Sequence, residues 1–149
     1  MKKFKFKLES VLKLKSFKEE KTKAELGVIV SKIHRCREVM EKIKDDVNLA
    51  YREQEALLKK GASGQEIQFF AHFVKGKKEH MTFQQNVLKH LNEEYQMKIN
   101  DLKIIKGEVK VVENLKEKKS TEFYKAEEKK FQASIDELTL NRLAMEKDL

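Results

Sequence analysis

A short glycine-containing turn separates two long stretches with a seven-residue apolar repeat, and it constrains the fold more than any other feature. Gly61 suits the left-handed residue that ends a helix, and the two lysines before it lie near the negative end of that helix. Ser63 and Glu66 have the spacing of a capping box, so a second helix can begin there. Because the loop is so short, the two helices are predicted to fold back antiparallel.

The repeat predicts an all-α chain, a long antiparallel two-helix coiled-coil hairpin with unequal arms that forms a single domain over residues 1–149. Helix 1 is predicted at about 8–60, the turn at about 61–64 and helix 2 at about 65–146. Proline is absent and charged residues make up 39%, which is typical of long helices. At 1.5 Å per residue, the arms would be ~80 Å and ~120 Å long.

Apolar residues follow steps of three and four along both arms, as in a coiled-coil seam. The predicted seam positions of the first arm are Leu26, Ile29, Ile33, Cys36, Met40, Ile43, Val47, Ala50, Gln54 and Leu57. Those of the second arm are Ile67, Phe70, Val74, Lys77, Met81, Gln84, Leu88, Leu91, Tyr95, Lys98, Leu102, Ile105, Val109 and Val112. The frame then reaches Lys116 and Lys119, so we expect the seam to be lost or shifted between about residues 113 and 130.

Antiparallel pairing around the turn places opposite each other residues whose numbers add to roughly 125. Residues beyond about 120 would then extend past the start of helix 1. They still carry apolar side chains, which we interpret as a partner-binding stripe, with fraying of the helix end as the alternative. These side chains are Phe123, Phe131, Ile135, Leu138, Leu140, Leu143 and Met145.

Positive charge is concentrated at the start of the chain. The net charge is +8, and residues 1–24 hold nine lysines against three glutamates. This segment is either a solvated helix face or a docking site for an acidic protein, a nucleic acid or an anionic membrane. Arginine is scarce, which argues against nucleic acid, whereas residues 4–17 would suit a membrane-surface helix. Lysine and phenylalanine alternate at the start of the basic segment, over residues 3–7. We expect residues 2–7 to form a frayed arm or an early helical turn.

The sequence offers little for chemistry. The single cysteine, Cys36, lies on the predicted seam and is interpreted as a small buried hydrophobe. One cysteine also suits a reducing compartment, and no signal peptide or membrane span is predicted, so cytoplasmic residence follows. The four histidines do not match a zinc motif. We therefore expect no catalytic residue, no metal and no cofactor.

An aromatic cluster follows the turn. Phe69, Phe70 and Phe73 crowd one stretch, and only Phe70 lies in the seam frame; Tyr51 on the other arm is also off the seam. A two-helix hairpin cannot bury all of these rings. They are either packed around the turn or exposed as anchors for a partner.

Several of these features together resemble a known family. Four features carry the resemblance: the segment 4–15 (FKFKLESVLKLK), the pair Tyr51-Arg52 ahead of the turn, the aromatic stretch after the turn, and the short and long arms. In these features the chain is similar to the flagellar export protein family FliJ. The resemblance implies a fold similar to the central stalk of rotary ATPases. It also implies a non-enzymatic role in the cytoplasmic, membrane-apposed part of the flagellar type III export apparatus.

The partners that the resemblance implies are the hexameric export ATPase, the cytoplasmic domain of the export-gate membrane protein and export chaperones. The expected gate contacts are Tyr51, Phe70 and Phe73. The expected contacts with the ATPase ring, which combine the basic start with the apolar stripe, are Lys13, Lys15, Lys18, Lys21, Phe131 and Leu138. The alternatives are a self-associating coiled-coil scaffold and a polyanion binder that uses the basic N-terminus.

Overall fold

The computed structural model describes residues 2–148, so the two ends of the predicted domain, Met1 and Leu149, lie outside the described residues. It contains two helices, α1 (Glu9–Lys60) and α2 (Gly64–Lys147), and the described residues form no strand. The helices pack against each other, which confirms the all-α hairpin with unequal arms. No helix in residues 2–148 has an apolar stretch long enough to cross a membrane.

The turn forms as its residue types predict. Gly61 has a φ of 86°, a left-handed conformation that an L side chain would strain, and its N–H donates to the carbonyl of Leu58 at 3.4 Å. The N–H of Ser63 donates to Glu66 Oε2 at 3.3 Å, and the N–H of Glu66 donates to Ser63 Oγ at 3.3 Å. These two reciprocal bonds are the capping box, and they satisfy amides that the first turn of α2 leaves without a helical acceptor.

The chain divides into two compact units. The first holds the described residues up to Glu20 and those from Lys103 onward, and the second is Lys21–Leu102. The organisation of residues 1–149 as a single domain stays a prediction.

In the second unit, the seam follows the predicted frame. We label its positions a and d; Ile29, Cys36, Ile43 and Ala50 are the d positions of α1, and all four are buried. On α2, Val74 and Leu102 at a and Leu91 at d are buried. The remaining predicted positions of this unit are half-buried, so the seam is thin, as a two-helix coiled coil requires.

Polar residues at three d positions of α2 find partners on α1. Lys77 Nζ is 2.9 Å from Asp46 Oδ2, and Lys98 forms an ion pair with Glu25. The Sγ of Cys36 donates to the carbonyl and side-chain oxygens of Gln84, both at 3.3 Å. Cys36 is therefore a seam residue, as predicted, and each pair keeps the register expected around the turn.

In the first unit, α1 pairs with α2 through Lys15 Nζ and Glu108 Oε2 at 3.1 Å, and through Lys116 Nζ and Glu9 Oε2 at 2.9 Å. Val109 and Val112 are buried, but Lys119 is exposed and Ser120 is half-buried instead. The frame thus shifts by one residue within the predicted interval. Every described residue after Glu127 is exposed.

The N-terminal arm, residues 2–6, is non-helical, but it is not frayed. Phe4 and Phe6 are half-buried while Lys5 between them is exposed, and the Phe4 ring centroid lies 5.7 Å from that of Phe123. The arm therefore covers Phe123, so this ring does not belong to an exposed partner-binding stripe, contrary to the expectation from the sequence. A single helix over residues 4–17 does not form, because α1 begins at Glu9.

Candidate functional site

A groove between the two helices lies next to the turn in the second unit. Leu49 and Ala50 of α1 and Phe69, Phe70 and Phe73 of α2 line this tip groove together with the carboxylate residues Asp46 and Glu53 of α1, and its volume is about 140 Å³. Phe70 turns toward the seam and is half-buried, whereas the Phe69 ring is 65% exposed. The groove therefore combines apolar side chains with two carboxylates of α1, and it is open to solvent on its aromatic side.

A lysine fixes one ring of the tip groove. Lys77 Nζ lies 5.5 Å from the centroid of the Phe73 ring while it pairs with Asp46 at 2.9 Å. A cation over an aromatic face is attracted by the ring quadrupole. The ion pair between helices thus holds Phe73 in place, although that ring is 38% exposed.

A second candidate surface lies on α2 in the first unit. Phe131, Ile135, Leu138 and Met145 follow one another at coiled-coil spacing and are all exposed; we call these four residues the uncovered stripe. Within this stretch, Thr139 Oγ1 donates to the carbonyl of Ile135 at 2.9 Å. No part of α1 within the described residues covers the stripe, so another molecule can bind it without displacing α1.

A third candidate surface surrounds a cavity beside the N-terminal arm. Phe4, Phe6, Leu115 and Phe123 form its apolar lining, lysines of the arm stand at its rim, and its volume is about 770 Å³. The described residues contain no cluster of three or more histidine, cysteine, aspartate or glutamate side chains that could hold a metal ion. The three surfaces offer exposed apolar side chains, and charged side chains line the tip groove and the cavity beside the arm.

Comparison with known families decides the identity of the chain. The family model described as "Flagellar FliJ protein" matches residues 4–147. The chain belongs to the FliJ family. Members of this family are non-enzymatic components of the flagellar export apparatus. No curated protein and no solved structure matches the chain significantly.

The residues expected to bind the export gate do not share one surface in this FliJ-family chain. Phe70 and Phe73 line the tip groove, but Tyr51 is absent from its lining. Tyr51 follows the d residue Ala50, so the helical repeat turns it to the other side of the seam, where it is 46% exposed. Leu49, which precedes Ala50, lines the groove with the aromatic rings. Its position beside the seam is the feature of the sequence that could have predicted this.

The lysines expected to bind the ATPase ring have different surroundings. Lys13 is exposed, but Lys15 is half-buried and paired with Glu108. Lys18 is exposed and has an interaction partner within the chain. Lys21 falls in the second unit and contributes to the electrostatic environment of Glu25. Because Lys15 and Lys18 have partners within the chain, the four lysines do not form one group of unpaired charges.

Proposed function

We propose that this FliJ-family chain is a non-enzymatic stalk and adaptor that couples the hexameric export ATPase to the cytoplasmic domain of the export gate. In this proposal it acts in the cytoplasm, at the inner face of the cell membrane, and it also meets export chaperones. The observation that carries the proposal is the uncovered stripe, an apolar helix face that continues where α1 no longer covers α2.

The uncovered stripe supplies the apolar part of the proposed ring contact. Phe131 and Leu138 are 57% and 68% exposed, so a loop of the ring would gain burial by covering them. Adding the chain to its cognate ATPase should raise the rate of ATP hydrolysis. Phe131→Gln with Leu138→Gln should remove most of that increase, whereas Leu58→Gln, at an exposed leucine before the turn, should keep it. Equal stimulation by all three proteins would contradict the ring contact.

The basic part of the ring contact is tested best at Lys13. Reversing Lys15 would also break its pair with Glu108 and disturb the first unit. Lys13→Glu should weaken the stimulation of the ATPase, and raising the salt concentration should reduce the difference from the unaltered chain. Unchanged stimulation by this variant at low salt would remove the electrostatic part of the proposal.

The tip groove is the proposed gate contact. Phe73→Ala should weaken binding to the isolated gate domain by about tenfold, the effect of losing one buried aromatic anchor. Because Tyr51 lies on the other side of the seam, Tyr51→Ala should act independently, so the double variant should show the sum of the two losses in free energy. Calorimetric titration measures all three, and full binding by both single variants would reject the assignment.

A second candidate function, a self-associating scaffold, is favoured by the same uncovered stripe. It predicts a dimer that forms with increasing concentration and is lost on Phe131→Gln with Leu138→Gln. Sedimentation equilibrium decides between the two, since a stalk that binds a ring through this stripe stays monomeric alone.

A further inference from the structure

The N-terminal arm, residues 2–6, is an extended segment whose backbone has no partner strand. The ring centroids of Phe4 and Phe6 are 6.4 Å apart, close to the ~6.6 Å that separates every second residue of an extended chain. The carbonyl of Phe6 accepts a bond from the N–H of Glu9 at 3.2 Å. Within the described residues, Lys3, Phe4 and Lys5 pair with no other backbone group. An unpaired extended backbone is a template for another strand.

The cavity beside the arm lies within the first unit. Residues 3–8 all line it, and α2 supplies Leu115, Lys119, Glu122 and Phe123. Its volume of about 770 Å³ lies in the range of ~300–1,000 Å³ that is usual for ligand sites in proteins. Between Leu115 and Phe123 the helix rises by ~12 Å, which is the length of about four residues of an extended chain. The cavity can therefore hold a short segment laid beside the arm.

The charged side chains around this cavity are mainly cations without a partner. Lys3, Lys5 and Lys7 are exposed, and none of them forms an ion pair with another of residues 2–148. The carboxylate of the lining, Glu122, is already paired with Lys119 at 3.8 Å. Lysines at every second position thus lie beside the apolar part of the lining. The cavity therefore complements a ligand that is apolar on one side and acidic on the other.

We propose that the arm binds an acidic segment of another protein by strand addition, in which the segment lies extended along the arm and pairs with its backbone. Side chains that face each other in paired strands lie on the same side of the sheet. Apolar residues of the segment therefore lie beside Phe4 and Phe6 in the cavity, and acidic residues alternate with them opposite the lysines.

The unpaired backbone favours a peptide over other polyanions. A nucleic acid or an anionic membrane also supplies negative charge, but neither repeats backbone donors and acceptors at the spacing of a strand. The site shares no residue with the proposed ring and gate contacts, so it does not depend on them.

The test uses the full chain and a short fluorescein-labelled peptide in which valine and glutamate alternate. Fluorescence anisotropy should show binding, and a peptide with the same residues in two blocks, all valines before all glutamates, should bind much more weakly. Phe6→Ala should raise the Kd by about tenfold, as expected for an anchor residue. Phe17→Ala, at an exposed phenylalanine that does not line the cavity, is the control and should leave the Kd unchanged.

Charge exchange gives a second readout. Lys5→Glu should raise the Kd by about fivefold, as for the loss of an exposed ion pair, whereas Lys125→Glu, outside the cavity, should have little effect. A triple variant with Lys3→Glu, Lys5→Glu and Lys7→Glu should lose the glutamate peptide and bind a peptide in which valine alternates with lysine. This variant keeps both phenylalanines of the arm, so a loss of packing would not explain the exchange.

Pairing of the backbone is tested with two peptides that are methylated on alternate amide nitrogens, one at the valines and the other at the glutamates. In a paired strand only one of these two sets of amides faces the neighbouring strand. One methylated peptide should therefore bind and the other should not. Equal binding of the two would overturn the proposal, and so would equal binding of the alternating and block peptides.

Other occupants give different results. If oligothymidylate or phosphatidylglycerol vesicles displace the labelled peptide at an equal concentration of charge, the arm responds to negative charge alone and the proposal is overturned. A concentration-dependent dimer that Phe6→Ala abolishes in sedimentation equilibrium would also overturn it, since a second copy would then be the occupant.

Discussion

Gln84 illustrates how a polar residue is tolerated at a core position of this seam. Its side-chain oxygen accepts a bond from the thiol of Cys36 on the facing helix, and the residue is half-buried. A polar residue at a seam position costs stability but fixes the register, because slipping the helices leaves it without its partner. The same reasoning applies to Lys77 and Lys98, each of which pairs with a carboxylate of α1.

Replacing Gln84 by leucine should therefore stabilise the hairpin. The change should raise the free energy of unfolding by roughly 1 kcal/mol, since a half-buried apolar side chain replaces a polar one. Urea unfolding followed by circular dichroism measures the difference. Gln85→Leu, at the exposed neighbouring position, is the control and should have little effect. A loss of stability in Gln84→Leu would show that its bond with Cys36 outweighs the apolar gain.

The ion pair between Glu25 and Lys98 makes stability depend on pH. The hydrogen bond from Lys98 holds the pKa of Glu25 below its ordinary 4.5, and the same bond raises the pKa of Lys98 above 10.5. The lowered pKa of Glu25 gives stability above pH 4.5 that is lost as the pH falls through the folded-state pKa. The raised pKa of Lys98 gives stability below pH 10.5 that is lost as the pH rises through its folded-state pKa.

Glu25→Gln should thus lower the urea midpoint at neutral pH. The difference from the unaltered chain should vanish in acid, once Glu25 is protonated in the folded state, and again in strong alkali. Glu41→Gln is the matched control, because the partner of Glu41 among residues 2–148 is Lys44 of its own helix, at 3.8 Å. A midpoint difference that persists unchanged in acid would contradict the role of the ionised pair.

At the scale of the elements, the turn is where the sequence was most informative. Gly61, Ser63 and Glu66 each have a local chemical requirement, so their roles could be predicted without knowledge of the fold. The seam could be predicted for a similar reason, because the seven-residue repeat specifies which side of each helix is buried. Lys77 and Lys98 lie on the seam as the repeat predicts, because the periodicity of a long segment outweighs the polarity of a single residue.

Two features could not be read from periodicity. The N-terminal arm has no helical repeat, and its contact with Phe123 depends on how far an extended segment reaches along α2. The resemblance groups the candidate gate residues irrespective of the side of the seam on which each one lies. Tyr51 follows a d position and Phe73 precedes an a position, and this difference places them on opposite flanks.

The start of α2 offers a direct test of the capping box. Ser63→Ala should lower the free energy of unfolding by about 1 kcal/mol, since the amide of Glu66 loses its acceptor. Thermal or urea unfolding provides the measurement. Ser31→Ala, within α1 at an exposed position, should be neutral or slightly stabilising, because alanine is the better helix former there. Equal effects at the two positions would argue against a specific cap.

For the molecule as a whole, pairs between the helices select one antiparallel register. Asp46 and Lys77 are the pair best suited to a test, since each side chain is less than one-third exposed. Asp46→Lys and Lys77→Asp should each destabilise the chain, because like charges then face one another. Combining them should restore most of the stability, with a coupling of about 0.5–1 kcal/mol. Additive losses in the double variant would mean that the pair does not specify register.

The burial of Cys36 has a practical consequence for spectroscopy. It is the only cysteine in the chain and is 4% exposed. In the folded protein it will therefore react with a thiol reagent far more slowly than a cysteine on the surface would. Probes can therefore be attached at introduced cysteines, such as one at Lys13 or Leu140, while the native residue is retained. Selective labelling of this kind would let the movement of each surface be followed in an assembled export complex.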